Sequence, residues 1–452
     1  MMAGSNGGAA SELPRWTSFW VRGIGPFREK AIFQLREKAQ PDGAEIHIFT
    51  GENGTGKSTL LRCFAGLFDP GYGPLSQRVH PPSLQEVLPN GTYGFQVFLT
   101  EHISFGTAYL STGSNGALAS SLLTSPWPGP ILDASGAQSE HLLRRYPCFG
   151  YAGGRNLRSV ELAGIVDLKE GPLQKAMSFE STVSSERLVQ WVASVFTKEA
   201  LAARKGKTDK ADQYRQARER IHKAMSEVVG QPVTFELEDE PVLRVQVMLG
   251  RRQLGIDALP DGVKSILSWL ADLLMRLDRI PWEDKSVDPL AQPFALFLDE
   301  IDAHLHPAWQ RKVLPMVQRL FPRAQVFVAT HSPFVVASVA GAWVHRLVLN
   351  EDGSATNREP VPSRAGYSYE TVLEEDFGII ADYDDVTEAE LAKFRHLKMA
   401  LLAGKREVLD PLRELATQLL QKSPDLRERI GMELRQIQRV AGIEVLAMEP
   451  GV

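Results

Sequence analysis

Cysteine is scarce in this chain: Cys63 and Cys148 are the only two in 452 residues. That excludes a disulfide framework and suits a reducing compartment, so a cytoplasmic protein is expected. No apolar run approaches the roughly 20 residues needed to span a bilayer, and no membrane partner is expected. The opening stretch, MMAGSNGGAASELPRW, has neither the basic start nor the apolar block of a signal peptide, and residues 1–15 read as disordered. An excess of basic charge is also missing. The formal net charge is −5, which gives no general attraction to nucleic acid and leaves room only for a local basic groove. Internal repeats are absent as well.

What is present is the composition of a packed globular protein, with 43% hydrophobic and 23% charged residues. Residues 17–50 alternate in β fashion through SFWVRGIGPF, KAIFQL and EIHIFTG. A helical pattern starts near Ser58 and runs through LLRCFAGLF. Residues 68–90 read as a Pro- and Gly-rich loop, GTYGFQVFLT and ISFGTAYLST as an antiparallel pair, and 112–137 as an exposed insertion. From about Ser178 to Val229 the pattern is helical and dense in both charge signs. It reads as a solvated hairpin with a polar tip at KGKTDK. GVKSILSWLADLLMRL is an amphipathic helix. FALFLDEID and QVFVATHS are apolar strands ending in polar residues, as buried parallel strands do. Beyond Ser363 the chain is mostly helical and charged.

Gly51-Glu52-Asn53-Gly54-Thr55-Gly56-Lys57-Ser58 has the spacing of a phosphate-binding loop, G-x-x-x-x-G-K-[ST], between a strand and a helix. Its glycines let the backbone N–H groups of Gly51, Asn53, Gly54, Thr55 and Gly56 wrap a phosphate. The helix start at Lys57, Ser58 and Thr59 adds positive potential. Lys57 places charge on the outer phosphates of ATP, and Ser58 offers a hydroxyl to Mg²⁺. FALFLDEID adds Asp299 for the metal shell and Glu300 to orient or deprotonate the attacking water. VFVATHSPF brings His331 to the end of the next strand, where an imidazole can sense the terminal phosphate. Lys57, Glu300 and His331 are therefore the candidate catalytic residues. A strand end carrying surface acids, or a structural histidine, is the competing reading of each later element taken alone.

GENGTGKST, LPDGVKS, LFLDEIDAHLHP and ATHSP, in that order, resemble the ABC/SMC-type P-loop ATPases, over roughly Trp16 to Val348. The similarity is to the branch that holds SMC, RecF and the lysogenization-defect-like and Septu-like AAA ATPases. The resemblance implies an α/β fold: an ABC-type head with a parallel core sheet and an antiparallel β subdomain. It carries a helical insertion and a helical C-terminal appendage. Expected boundaries are 16–177 for the first part of the head, 178–230 for the insertion, 231–362 for the rest of the head and 363–452 for the appendage. Asp302, Ala303 and His304 would form the D-loop. Leu259-Pro260-Asp261-Gly262-Val263 resembles the ABC signature, and Asp261 and Gly262 would contact nucleotide held by a second subunit. Pro260 departs from the usual serine, and Ser265 is the candidate replacement hydroxyl. FGYAGGRNL resembles a Septu-like element in which Arg155 reaches a phosphate or a partner; a surface arginine is the equal alternative. Gln96 is the candidate Q-loop glutamine and third metal ligand, or else a strand residue facing solvent.

A second chemistry is not evident. Asp382, Asp384 and Asp385 imitate a TOPRIM pattern but read as a polar loop and helix N-cap. His304 and His306 have no accompanying cysteines and do not read as a zinc site. The expected function is an ATP-hydrolysing subunit of a bacterial multi-component system, in anti-phage defence, using ATP and Mg²⁺. It would form a head-to-head ATP-sandwich dimer or higher oligomer and act on a separate effector such as a nuclease. The alternative is a RecF/SMC-like repair ATPase binding DNA directly, although weak DNA binding is expected because Lys and Arg of the hairpin are mixed with acids.

Overall fold

The computed structural model describes residues 15–38, 42–68, 92–99, 104–112, 118–123, 146–153, 157–177, 179, 185–378 and 383–446, with side chains for all but 65–68 and 92–123. Residues 1–14 and 69–91, Arg155 and Asp382 lie outside the described residues.

The first half of the chain gives β1 (Trp16–Arg22), β2 (Ala31–Gln34), β3 (Glu45–Gly51), α1 (Lys57–Phe68), β4 (Thr92–Leu99), β5 (Ser104–Thr112), β6 (Leu118–Leu123) and β7 (Cys148–Tyr151). Next come α2 (Ser185–Arg204), α3 (Thr208–Val229), β8 (Val233–Glu238), β9 (Arg244–Leu249), β10 (Arg252–Gly255) and α4 (Asp261–Arg279). The head continues through β11 (Ala295–Leu298), α5 (Pro307–Leu320), β12 (Gln325–Ala329), α6 (Pro333–Val336), β13 (Trp343–Leu349), β14 (Ala355–Asn357), β15 (Val361–Pro362) and α7 (Tyr369–Phe377). Helices α8 (Asp385–Leu402), α9 (Leu409–Lys422) and α10 (Pro424–Ala441) follow.

The fold is α/β. Five parallel strands in the order β13-β3-β12-β11-β7 form the core sheet, and β14 and β15 pair antiparallel with β13. An antiparallel sheet, β2-β1-β4-β5-β6, makes the β subdomain, and β10-β9-β8 a smaller one. β6 gives ordered edge structure inside 112–137, which the sequence presents as an exposed insertion. β3 is buried at every position instead of alternating, because a central parallel strand is covered on both faces.

The charged hairpin is α2 and α3, joined at Gly206, and it is only partly solvated. Leu188, Val189, Trp191, Val192, Ile221, Met225 and Val228 are buried in the same cluster as Ile266, Trp269 and Leu270 of α4. Along α3 the charge pattern describes the outer face, while the small and apolar positions three and four apart form the packed one. Three of its arginines are ion-paired: Arg215 and Arg218 with Glu199, and Arg220 with Asp278 and Asp288.

The chain divides into two compact units, 1–377 and 378–452. The second therefore begins at Gly378 and not at residue 363, since β13 draws the following strands and α7 into the head. In the second unit α8–α10 bury Leu391, Phe394, Leu412, Leu419, Ile430 and Leu434 among themselves. Asp384 caps α8, its carboxylate accepting from Val386 N and Thr387 N at 3.1 Å each, which matches its reading as a cap.

Candidate active site

The site is assembled at the C-terminal ends of parallel strands, where ligands of open α/β sheets bind. β3 runs into the loop Gly51–Gly56, and α1 begins at Lys57. Two positions require glycine. Gly51 has φ 144°, and a Cβ there would lie 2.3 Å from the Leu347 carbonyl oxygen. Gly56 has φ 93°, and a Cβ would lie 2.6 Å from the Phe27 ring. The loop is thus clasped between β13 and the turn at Pro26–Phe27, a buttress that its own motif does not announce. Asn53 and Gly54 at its crest are exposed, Thr55 is buried, and Thr59 is buried against Gly25.

Lys57 is 5% exposed, and its Nζ donates to the carbonyls of Gly51 and Glu52 at 2.8 Å each. Burial lowers its pKa to about 8, against the carboxylates of Asp299, Asp302 and Glu300, which act to raise it. A desolvated cation held by neutral carbonyls is poised for an incoming anion. The Ser58 hydroxyl donates to Asp299 Oδ1 at 2.8 Å. Asp299 is 2% exposed, its backbone N–H is bound to the Tyr151 carbonyl at 2.8 Å, and Oδ2 lies 4.0 Å from Arg62 Nη2. A hydroxyl and a carboxylate beside a phosphate loop are hard oxygen donors, few in number. That suits Mg²⁺, which keeps several waters and phosphate oxygens of its own.

Glu300 departs from the strand with φ 47°, and His304 has φ 64°. For non-glycine residues such conformations cost on the order of 1–3 kcal/mol and gather at functional sites. The room for Glu300 comes from Gly153, after β7: a Cβ there would lie 2.3 Å from Glu300 Oε2. In the FGYAGGRNL segment the sequence drew notice to Arg155, and Gly153 was missed. His331, at the end of β12, is exposed at its outer side; its partial burial and the Lys57 cation lower its pKa, with Asp302 and Glu300 opposing. Lys57, Ser58, Asp299, Glu300 and His331 are therefore neighbours in one electrostatic site.

Other candidates are placed elsewhere. Gly262, at the start of α4, abuts the Trp309 ring and the His304 carbonyl, where a Cβ would come within 2.7 and 2.9 Å. Asp261 beside it is exposed. Gly262 thus packs against the loop at His304. Ser265 is 1% exposed and its hydroxyl donates to the Ala303 carbonyl at 3.3 Å, so it is spent inside the chain and cannot replace the signature serine. Gln96 lies in β4, opposite Trp20, at an irregularity against β5; its side chain is outside the described residues. His306 caps α5, its Nδ1 accepting from Ala308 N at 3.2 Å with Pro307 following. Among the described residues no group of His, Cys, Asp and Glu has the makings of a further metal site. No described helix is long and apolar enough to cross a membrane.

Comparison with known proteins bears on this site. Residues 176–337, from before α2 to α6, match the family described as "AAA domain, putative AbiEii toxin, Type IV TA system". The chain is 38% identical over 86 residues to the retron Ec83 probable ATPase of Escherichia coli, covering 19% of this chain and 16% of that one. It is 28% identical over 134 residues to the Septu protein PtuA of Bacillus mycoides strain KBAB4, covering 29% and 18%. The matched parts thus span less than a fifth of those relatives. The SMC head domain from Thermotoga maritima aligns with 77% of this chain and 98% of its own, at 14% identity and a TM-score of 0.40. Over these segments the chain is thus similar in sequence to AAA-type ATPases, among them the Septu and retron proteins.

Proposed function

We propose that this protein binds and hydrolyses ATP as the switch subunit of an anti-phage defence system, holding a separate effector whose state follows the nucleotide. The observation that carries the reading is the meeting of Lys57, Ser58 and Asp299, with Glu300 turned out beside them. Loop amides and Lys57 would bind the β and γ phosphates. Ser58 and Asp299 would hold Mg²⁺, which neutralises phosphate charge when bound. Glu300 would accept the proton of the attacking water, and His331, kept neutral, would hydrogen-bond the γ phosphate. Asp261 and Gly262, beside the D-loop, would complete the site of a second copy. The defence setting is supported by the Septu and retron relatives. Direct DNA binding is the less favoured reading: the net charge of −5 gives little general attraction, and Arg215, Arg218 and Arg220 of the hairpin are paired with acids.

The test is Glu300→Gln, assayed for phosphate release, ATP binding and gel-filtration size. Turnover should fall on the order of 10²-fold or more, as for a lost general base, while ATP still binds and a head dimer accumulates. Undiminished turnover would contradict the role of Glu300; a monomer with nucleotide bound would contradict the sandwich.

A further inference from the structure

Two residues flank His331, and both are tied to the D-loop. On one side the Thr330 hydroxyl donates to the Asp302 carboxylate and accepts from the Ser332 N–H at 3.0 Å. On the other side the Ser332 hydroxyl donates to Gln310 Oε1 at 2.6 Å, while its lone pairs cap α6 through Phe334 N at 3.1 Å and Val335 N at 3.3 Å. Gln310, from α5, completes the bridge. Its Nε2 donates to the Leu305 carbonyl at 2.9 Å and to the Asp302 carbonyl at 3.3 Å. The amide has one workable orientation. Turned over, its oxygen would face two carbonyl oxygens and lose both bonds. Between the two carbonyls it grips lies His304, in the left-handed conformation that persists only where its surroundings hold it.

Resting on the reading of His331 as the phosphate-contacting residue, we infer that Gln310 is a positioning residue that locks the loop Asp302–Leu305 to His331, so that the two shift together when nucleotide binds. The Gln310 amide is bonded to Ser332 on one side and to the loop backbone on the other, and it acts through them. A purely structural glutamine would hold α5 in place and leave hydrolysis to follow stability alone. The coupled arrangement instead makes its removal matter only while His331 is there to be positioned.

The discriminating variant is Gln310→Glu. It keeps the length and an oxygen toward Ser332 but sets a carboxylate oxygen against the Asp302 and Leu305 carbonyls. The kcat for ATP should fall roughly 10- to 100-fold, the scale of a small misplacement of a reacting group, with KM changed less than about twofold. In a His331→Ala background the same substitution should cause no further loss. Wild-type kcat, or an equal fold-loss in both backgrounds, would overturn the inference. Should Gln310→Glu fail to fold by thermal melting, Ser332→Ala breaks the bridge from its other end and is judged by the same two backgrounds. Lys57→Ala and Glu300→Gln run alongside. If they keep full turnover, the underlying site reading fails and this inference with it; if they lose turnover while Gln310→Glu does not, only the inference falls.

Discussion

The strands of the core sheet carry a polar cluster at each end, and the two differ in kind. At their N-terminal ends Glu45 of β3 accepts from Arg15 Nε at 2.6 Å and from Gln325 Nε2 at 2.6 Å, and lies 2.8 Å from His47 Nε2. His47 Nδ1 meets His345 Nε2 at 3.1 Å, and Tyr146 donates to Gln325 Oε1 at 3.0 Å. These groups are buried, and nearly all their polar atoms are matched inside the protein. At the C-terminal ends Lys57 rests on carbonyls, Glu300 and His331 face outward, and two residues hold left-handed backbone. A closed network fixes the register of β1, β3, β7 and β12. An open one keeps charge unspent for a ligand.

Damage to the two ends should therefore read out differently. The largest effect is expected at the closed end. Glu45→Ala strands Arg15, His47 and Gln325 and should cost about 3 kcal/mol or more of stability, seen in denaturant unfolding. The affinity for ATP of the protein that remains folded should be unchanged; a matching loss of affinity would erase the distinction between the ends. At the open end, Gly153→Ala pushes on Glu300 and should lower turnover roughly 10- to 100-fold while sparing ATP binding. Unaltered phosphate release would remove Gly153 from the site.

A smaller effect concerns pH. With its pKa lowered to about 8, Lys57 loses its proton as pH rises through that value in the empty protein, while a bound phosphate favours the charged form. ATP affinity should be full below about 8 and decline above it, by at most about tenfold per unit. The closed end has its own pH signature in stability. Burial lowers the pKa of His47 and, further, of His345, so both stay neutral in the fold. Their contribution is full above the ordinary value of 6.5 and is lost as pH falls below it, when the unfolded chain takes up the protons. Melting temperatures from pH 8 to 5 should show this fall, and ATP titrations from pH 7 to 9.5 the first. A pH-independent affinity over this range would contradict a Lys57 that titrates near 8 in the empty protein.

How much of this was legible in the sequence follows from how local each feature is. GENGTGKS announces a phosphate loop because eight consecutive residues and their flanking strand and helix carry it. The parallel strands were legible from apolar runs ending in acids or histidine. The closed network was not, since Glu45 and His47 look like alternation in a half-exposed strand until β12 and β13 cover them. The hairpin's packed face was masked by the charge on its outer face. Gly153 and Gln310 are ordinary in sequence; the one acquires its role from Glu300 far along the chain, the other from Ser332 and two backbone carbonyls. Ser265 shows the reverse error, a hydroxyl at a suggestive spacing that the fold turns inward.

The most direct test is equilibrium titration of Lys57→Ala with ATP at neutral pH, with thermal melting of the same sample. Lys57 contacts loop carbonyls and belongs to neither hydrophobic cluster of the head. Nucleotide binding or turnover should therefore be lost while the variant still melts in a cooperative transition of a folded protein. Wild-type affinity and turnover in that variant would contradict a nucleotide site at the open end of the sheet.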